Sequence, residues 1–317
     1  MSAERKLRAF QRMAWVTLFA ILFLIWVGAM VRATDSGMGC PDWPTCFGRW
    51  VPPTDVSQLP PDYKVIYADH GYASNDFDPR KTWIEYTNRL TGTSIGLLIF
   101  ITLILAWRIR DERKQVLKMT FLTFLAVGLN GWLGSIVVKS NLHPAVITTH
   151  MLLSFAAIGC LIAAIAAAMT SKQTYFPNPA LKPLLVLAVV ITVIQVTLGA
   201  QVREGVDEIA ALADDFYARE GWVEQLGGVF VWHRLFATVV LIINALLVWR
   251  LLQQPAVHRI QCCIAWLICL ILFLIITVGL VMMVFSIPPL AQPVHLFLVV
   301  CLFSVQVFTF YLQPVTD

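Results

Sequence analysis

Residues 144–150 read PAVITTH and residues 289–295 read PLAQPVH, so each segment runs from a proline to a histidine. The two segments lie 145 residues apart in the chain. Residues 88–90 (NRL) and 233–235 (HRL) are separated by the same 145 residues. Matching segments at a constant offset are the signature of an internal duplication. The sequence therefore predicts two related halves.

A third match between the halves is looser in register. Residues 28–32 read GAMVR and residues 199–203 read GAQVR. In each half, two apolar segments begin with a polar or metal-ligating residue. Because polar groups inside a lipid bilayer are unfavourable, such residues indicate functional sites. We therefore expect one site in each half.

The composition is that of an integral membrane protein. Of the 317 residues, 58% are hydrophobic and 13% are charged, whereas a soluble domain carries about 25% charged residues. The net charge of +4 is small, so no nucleic acid is expected as a partner. The basic start MSAERKLRAFQR precedes an apolar segment without a small-residue cleavage site, which predicts a retained first span. This favours a bacterial cytoplasmic (inner) membrane over an organelle.

Eight apolar segments are long enough to cross a bilayer, since a spanning helix needs about 20 residues. Their approximate bounds are 13–31, 86–107, 119–138, 145–169, 184–202, 229–249, 260–287 and 291–312. Unbroken runs of this length exclude a transmembrane β-barrel, whose strands alternate over about ten residues. We predict an all-α integral membrane protein with eight transmembrane helices, four in each half.

An even number of spans places both termini on one side of the membrane. Basic residues near the ends of short loops mark the cytoplasmic side, and the short loop 108–118 holds five Lys and Arg. We therefore expect both termini in the cytoplasm and the long acidic loops 32–85 and 203–228 outside. Four polar residues then lie at a similar depth in the outer half of the membrane. They are Asn88, His150, His233 and His295.

His233 and His295 form the stronger candidate pair. Imidazole is a common ligand of iron and heme, and helices of a bundle can present two imidazoles across a macrocycle. The sequence therefore predicts a heme or metal site between these two histidines. The alternative is a pair of histidines that hydrogen-bond between helices, each worth about 0.6 kcal/mol.

Asn88 and His150 are the equivalent pair in the first half. An amide is a poor iron ligand but can hydrogen-bond to a bound group. If a heme binds here, His150 is its only protein ligand and one face stays open, which suits chemistry, whereas a closed bis-histidine site suits electron transfer. The alternative is that the first site has lost its cofactor.

Further charged residues surround these pairs. Glu85 lies three residues before Asn88 on one helical face and is a candidate acid or base; the alternative is a solvated loop carboxylate. Arginines stand at the outer ends of spans, where guanidinium groups can bind carboxylates such as heme propionates or extend to lipid head groups. These arginines are Arg32, Arg89, Arg203 and Arg234.

Cys40 and Cys46 lie in the stretch GCPDWPTCFG of the first outer loop. Disulfides persist in the oxidising compartment outside the membrane, and the spacing matches no usual zinc signature. We expect a reversible or structural disulfide between them.

Together these segments resemble the heme A synthases, the oxidase-assembly proteins that convert heme O to heme A. The resemblance covers nearly the whole chain and is carried by residues 28–32, 35–46 (DSGMGCPDWPTC), 85–89 (EYTNR), 144–150, His233-Arg234 and His295. It implies two four-helix bundles related by a pseudo-twofold axis. Residues 1–170 would hold the substrate heme pocket and the long outer loop, and residues 171–317 the heme b site.

The resemblance also implies roles for single residues. It implies heme b as cofactor, carried by His233 and His295, with Arg203 and Arg234 as propionate candidates. Heme O would be the substrate in the first half, oxidised from a ring methyl to a formyl group, with Glu85 catalytic and electrons leaving to an external acceptor. The residues around this substrate would be Asn88, His150, Arg32 and Arg89. The family's cysteine pair corresponds to Cys40 and Cys46.

The chain departs from this family at two places. Many members have a histidine where this chain has Asn88, and some have a second cysteine pair in the later outer loop, where this chain is acidic. Asn88 favours an alternative function, a heme carrier or assembly factor without catalysis. A transporter is disfavoured, since it predicts polar or broken helices at the midplane.

Expected partners are heme O synthase, a terminal oxidase under assembly and the lipid bilayer; a homo-oligomer is compatible with the sequence.

Overall fold

The computed structural model of the protein describes residues 2–169, 181–213, 216, 219–253 and 259–312. These residues form ten α-helices and no β-strand. The helices are α1 (Ala3–Ala33), α2 (Tyr63–Ile66), α3 (Pro79–Trp107), α4 (Lys114–Lys139), α5 (Pro144–Ala168), α6 (Leu181–Leu212), α7 (Trp222–Gln225), α8 (Gly227–Leu252), α9 (Arg259–Val284) and α10 (Ala291–Tyr311). All except α2 and α7 are long and apolar enough to cross a membrane. The predicted all-α membrane fold with eight spans is confirmed, and the chain is a multi-pass membrane protein.

Several helices extend beyond the apolar segments that predicted them. α1 begins at Ala3, before the predicted start of the first span, and its Phe10 is buried in the core. α6 continues to Leu212, ten residues past the predicted end. Hydropathy marks the part of a helix that lies in lipid, whereas backbone hydrogen bonds continue as long as the residues favour a helix. Polar residues near the span ends therefore lie on rigid helices.

The beginning of α3 decides where Glu85 lies. The Asp78 side chain accepts hydrogen bonds from the backbone N–H groups of Arg80 (2.8 Å) and Lys81 (3.5 Å), and Pro79 occupies the first helical position. This is a typical helix N-terminus. Glu85 consequently lies inside the helix, where it is only 4% exposed. It is not a solvated loop carboxylate.

The eight long helices pack as two closed rings of four. In the first, α1 and α4 each contact α3 and α5; in the second, α6 and α9 each contact α8 and α10. The rings meet where α5 packs on α10, α1 on α10 and α5 on α6. This pattern is compatible with a pseudo-twofold that exchanges α1 with α6 and α5 with α10. The twofold stays a prediction, as does the division at residues 170/171, which lies outside the described residues.

The same turn precedes α5 and α10, the helices that carry His150 and His295. Asn141 and Leu142 have φ of 50° and 60°, and Ser286 and Ile287 have φ of 51° and 59°. This left-handed region is unusual for bulky residues, so its occurrence at both positions 145 residues apart marks matching turns. The Leu142 N–H donates to Val137 O (2.9 Å) and the Ile287 N–H to Met282 O (2.7 Å). Because both turns end their helices alike, His150 and His295 occupy the same place on the helices that follow.

The two long loops, between α1 and α3 and between α6 and α8, lie on the same face as these turns, hereafter the loop face. Asn141 donates through Nδ2 to Asp69 O (2.8 Å) in the first loop. In the second loop, Arg219 donates through Nη1 to Ile287 O (2.7 Å). Each loop is thus anchored on the left-handed turn of its own half.

The first loop is a folded cap. Cys40 and Cys46 form the predicted disulfide, and the ring of Phe47 packs edge-on against Tyr67, Tyr72 and Phe77 at centroid distances of 5.1 to 5.5 Å. The Tyr72 hydroxyl donates to Met38 O (3.2 Å) and Gly39 O (3.3 Å). Burial raises the pKa of Tyr72 well above its usual range, so the hydroxyl keeps its proton in alkaline as well as neutral solution.

Gly39 brings this cap onto α3. A Cβ atom at position 39 would lie 2.4 Å from Lys81 O and 2.8 Å from Thr82 N, while the Thr82 hydroxyl donates to Gly39 O (2.8 Å). Only a residue without a side chain allows the two backbones to approach this closely.

We expect Gly39→Ala to detach the cap from α3. The backbone atoms in contact cannot move aside, so the substitution should destabilise the docked loop by on the order of 1–3 kcal/mol. Limited proteolysis of the purified protein measures this as faster cleavage within residues 40–77. The matched control is Gly96→Ala in α3, where nothing lies within 4 Å of the added Cβ. Equal cleavage rates in both variants would contradict the role of Gly39.

Candidate functional site

A cavity of about 470 Å³ lies within the ring of α6, α8, α9 and α10. Ligand sites usually measure about 300–1,000 Å³ and are mostly apolar with few polar groups. The lining here is mostly apolar, and its polar members include His233, His295, Gln195, Arg203 and Arg234. The two histidines predicted as a pair therefore face one cavity, although they lie on different helices and 62 residues apart in the chain.

Each of these histidines stands against a glycine of the preceding long helix. A Cβ at Gly199 would lie 3.2 Å from His233 Cε1, and one at Gly279 would lie 3.5 Å from His295 Cε1. Gln195 donates through Nε2 to His233 O (3.0 Å), and the same amide nitrogen lies 3.2 Å from His233 Nδ1. Neighbouring helices thus hold both rings in place.

The first half repeats this arrangement with one change. A Cβ at Gly134 would lie 3.7 Å from His150 Cε1, and one at Gly28 would lie 3.8 Å from Asn88 Oδ1. The glycines were not predicted as site residues. A signal for them existed, because Gly134 and Gly279 share the 145-residue offset of the histidines.

Two side-chain oxygens at these positions are buried without a hydrogen-bond partner. They are Asn88 Oδ1 in the first half and Gln195 Oε1 in the second. Because an unpaired buried polar atom costs about 1–3 kcal/mol, its presence calls for a ligand. The described residues contain no group of three or more His, Cys, Asp or Glu that would hold a bare metal ion. One or two imidazoles suit an iron whose remaining ligands come from a macrocycle.

Glu85 is tied to the disulfide loop. Its Oε2 accepts a hydrogen bond from the Cys40 N–H (2.7 Å), and its Oε1 accepts from Arg89 Nε (3.1 Å) and also from Arg89 Nη2. The carboxylate lies one helical turn from Asn88. It is therefore held at a defined place between the first-half site and the cap.

Arg89 connects the cap to α3. Besides Glu85, its Nη1 donates to Asp42 O (2.6 Å) and Thr45 O (2.9 Å), and its Nη2 donates to Cys40 O (2.8 Å). A guanidinium has five N–H groups, and these bonds use all of them. Its predicted contact with a substrate stays a prediction, but in this structure Arg89 binds the loop.

Asp42 is a residue of the cap that the sequence did not single out. Its carboxylate accepts hydrogen bonds from the backbone N–H groups of Phe47 (2.6 Å) and Gly48 (2.8 Å), and from the Thr45 hydroxyl. The Asp42 acceptor and its donors lie only a few residues apart within GCPDWPTCFG, as is typical of an Asp whose side chain stabilises a turn. Asp42 therefore shapes the loop whose carbonyl groups Arg89 binds.

The other predicted arginines gather at the second-half cavity. Arg203, Arg234 and also Arg32 line it, although Arg32 lies on α1 and was predicted to serve the first-half site. The Arg234 guanidinium lies 5.5 Å from the Phe230 ring centroid. Arg203 Nη1 is buried without a hydrogen-bond partner. The rim of this cavity thus presents positive charge with a free N–H donor.

Residues 11–307 match the COX15-CtaA family, described as cytochrome oxidase assembly protein. The chain belongs to this family. The family indicated by the sequence motifs is thereby confirmed.

Individual members of the cytochrome oxidase assembly family agree with this assignment. A heme A synthase of Bacillus cereus is 28% identical over 312 residues, which cover 92% of this chain and 89% of that protein. A heme A synthase of Shewanella oneidensis is 29% identical over 206 residues, covering 62% of this chain and 58% of that protein. A heme A synthase of Geobacillus thermodenitrificans is 28% identical over 155 residues, which cover 48% of this chain and 42% of that protein. The last two matches span about half the length of those relatives.

We expect Gly199→Ala to weaken binding of an iron porphyrin in the second-half cavity. The added Cβ would press on His233 Cε1 from 3.2 Å, so the ring must turn away from its place. Affinity for hemin, titrated into the heme-depleted protein and followed by Soret absorbance, should fall on the order of 10-fold, or about 1.4 kcal/mol. Gly159→Ala, with nothing within 4 Å of its Cβ, is the matched control. Unchanged affinity in Gly199→Ala would show that the glycine does not set the ring position.

Proposed function

We propose that the protein is a membrane oxidoreductase that converts heme O to heme A by oxidising a ring methyl to a formyl group. The observation that carries the proposal is the difference between two repeat-related sites. The second half pairs His233 with His295, whereas the first pairs His150 with Asn88 and adds the buried Glu85. A doubly ligated site suits electron transfer and a singly ligated one suits chemistry. The relatives named heme A synthase support the same reaction.

The second-half cavity fits heme b as a resident cofactor. The fit is supported by the apolar lining, by the two histidines that face the cavity, and by Gly199 and Gly279, which leave room for the two imidazole rings. His233 and His295 would hold its iron, and Arg203 and Arg234 would bind its propionates. Bound there, heme b supplies reversible one-electron transfer. Gln195 orients His233, in the way that outer partners orient metal-bound histidines.

In the first half, heme O is the proposed substrate, held by His150. Glu85 is the proposed catalytic acid or base, and Asn88 Oδ1 is available to accept a hydrogen bond from the substrate. The chain prepares Glu85 for this role by fixing both carboxylate oxygens, one through the Cys40 N–H and the other through Arg89. The cap above it excludes water, which strengthens electrostatic interactions at the reacting group.

The setting of the reaction is part of the proposal. We place the protein in the bacterial cytoplasmic membrane with both termini inside, because the short α3–α4 loop is basic and the loop face carries the disulfide. Heme O synthase would deliver the substrate, a terminal oxidase under assembly would receive the product, and an external acceptor would take the electrons. Residues 1–170 and 171–317 would act as the substrate and redox domains.

A heme carrier without catalysis is the second candidate function, and Asn88 favours it. The carrier would bind heme O or heme A and hand it to the oxidase. Anaerobic incubation with heme O and an electron acceptor separates the two functions. Conversion to heme A supports the enzyme, and tight binding without conversion supports the carrier.

We expect Glu85→Gln to stop heme A formation while heme binding remains. The amide still accepts the Cys40 N–H bond but cannot exchange a proton, and a general acid–base group typically contributes about 10²–10⁴-fold to rate. Chromatography of extracted hemes measures the product, and the Soret band measures binding. Glu224→Gln, on the exposed side of the second loop, is the matched control. Normal turnover in Glu85→Gln would remove this residue from the mechanism.

We expect His233→Ala and His295→Ala each to abolish the low-spin heme spectrum of the second half. Either change leaves the iron with a single imidazole, so the bands of a bis-histidine heme should disappear from the reduced-minus-oxidised spectrum. His143→Ala, an exposed histidine on the loop face, should keep them. If both variants retain the wild-type spectrum, this ligand pair is wrong.

A further inference from the structure

A carboxylate joins the two halves at the rim of the second-half cavity. Asp207 Oδ2 accepts hydrogen bonds from Arg32 Nε (2.9 Å) and Arg32 Nη2 (2.5 Å), and Asp207 Oδ1 lies 2.7 Å from Arg203 Nη2. The same Arg203 Nη2 donates to Arg32 O (2.8 Å). Arg32 lies in the last turn of α1 in the first ring, whereas Arg203 and Asp207 lie on α6 of the second. These three residues, hereafter the rim cluster, therefore bridge the two rings.

Only the second repeat supplies the carboxylate. In the register that aligns residues 28–32 with 199–203, Asp207 corresponds to Ser36, a buried residue without charge. α1 ends at Ala33, but α6 continues to Leu212 and so carries Asp207 one turn beyond Arg203. The extension of α6 is thus what brings an acid between the two repeat-related arginines.

The rim cluster carries a net positive charge and an unused donor. Two guanidinium groups face one carboxylate, and Arg203 Nη1 stays buried without a hydrogen-bond partner while Arg203 lines the cavity. The side chains of Arg32 and Arg203 are 23% and 15% exposed, so solvent screens this charge only in part. A ligand carboxylate at the rim would find a guanidinium already oriented.

We propose that Asp207 is a positioning residue that holds Arg32 of the first half and Arg203 of the second as one unit facing the cavity ligand. Both halves then contribute positive charge to one carboxylate-binding site, and Asp207 sets how much of that charge the ligand experiences. The inference rests on the proposed heme b site. It assigns to Arg32 an action on the second-half heme, and to Asp207 a role that no motif in the sequence indicated.

The proposal predicts the direction of two changes in the heme midpoint potential. A nearby negative charge favours the oxidised heme, which is one charge more positive than the reduced heme. Removing the Asp207 charge should therefore raise the potential, and removing the Arg32 charge should lower it. The second effect would cross from one half to the other.

The first experiment compares Asp207→Asn with Glu208→Gln in the full-length, heme-loaded protein. Both variants lose one negative charge on neighbouring residues of α6, but only Asp207 contacts the two arginines. Spectroelectrochemical titration of the low-spin heme should give a clearly higher potential in Asp207→Asn than in Glu208→Gln, and Asp207→Glu should restore the wild-type value. Equal shifts in the first two variants, or none in Asp207→Asn, would overturn the proposal.

The second experiment does not need Asp207→Asn to fold. Arg32→Gln should lower the potential of the second-half heme and reduce hemin retention several-fold, while Arg49→Gln, in the first loop and away from the cavity, should change neither. An unchanged potential in Arg32→Gln overturns the proposal. Heme extraction from the wild type distinguishes failure of this inference from failure of the proposed function. A protein without heme b contradicts the proposed function itself. Normal heme b content with unshifted potentials in the variants contradicts only the role of the rim cluster.

Discussion

The contact between a histidine and a glycine on the preceding long helix organises both halves of this protein. An imidazole can lie this close to the neighbouring helix only if that helix has no side chain there, and close helix approach in a membrane depends on small residues. Gly199 with His233 and Gly279 with His295 meet this condition in the second half, and Gly134 with His150 meets it in the first. The cavity around the second pair follows from these contacts, because the helices stay close enough to enclose it and the rings still fit.

The two halves differ in what surrounds the shared frame. In the first half, the loop with the disulfide folds over α3, and Arg89 uses every N–H to join Glu85 to three carbonyl groups of that loop. In the second half, α6 extends instead, and Asp207 joins Arg32 to Arg203. The two rings thus have similar frames. The loop-face additions place a buried acid in the first half and a positively charged rim in the second. That difference is the physical basis for proposing a reaction in one half and electron transfer in the other.

The positions of the arginines show how the loss of hydration determines which hydrogen-bond partners a guanidinium group takes. A guanidinium near a bilayer surface needs anionic or carbonyl partners, since its N–H groups lose water there. Arg89 finds them in the cap and in Glu85, whereas Arg203 finds only part of what it needs and leaves Nη1 unpaired. An arginine with all donors engaged is a structural clamp, and one with a free buried donor is a candidate ligand contact. Equal positions at span ends therefore do not imply equal roles.

Much of this protein was determined by local sequence. Eight apolar segments predict eight spanning helices because burial in lipid requires about 20 apolar residues whatever the neighbours are, and the offset of 145 residues predicts that the polar positions come in matching pairs. The disulfide followed from two cysteines only six residues apart in one outer loop. Only the tertiary structure decided which glycine meets which imidazole, that Arg32 reaches the cavity of the other half, and that Arg89 and Asp207 bind groups far away in the chain. Those contacts depend on how helices from distant parts of the sequence pack, and hydropathy and spacing carry no information about the rotation and depth at which two helices meet.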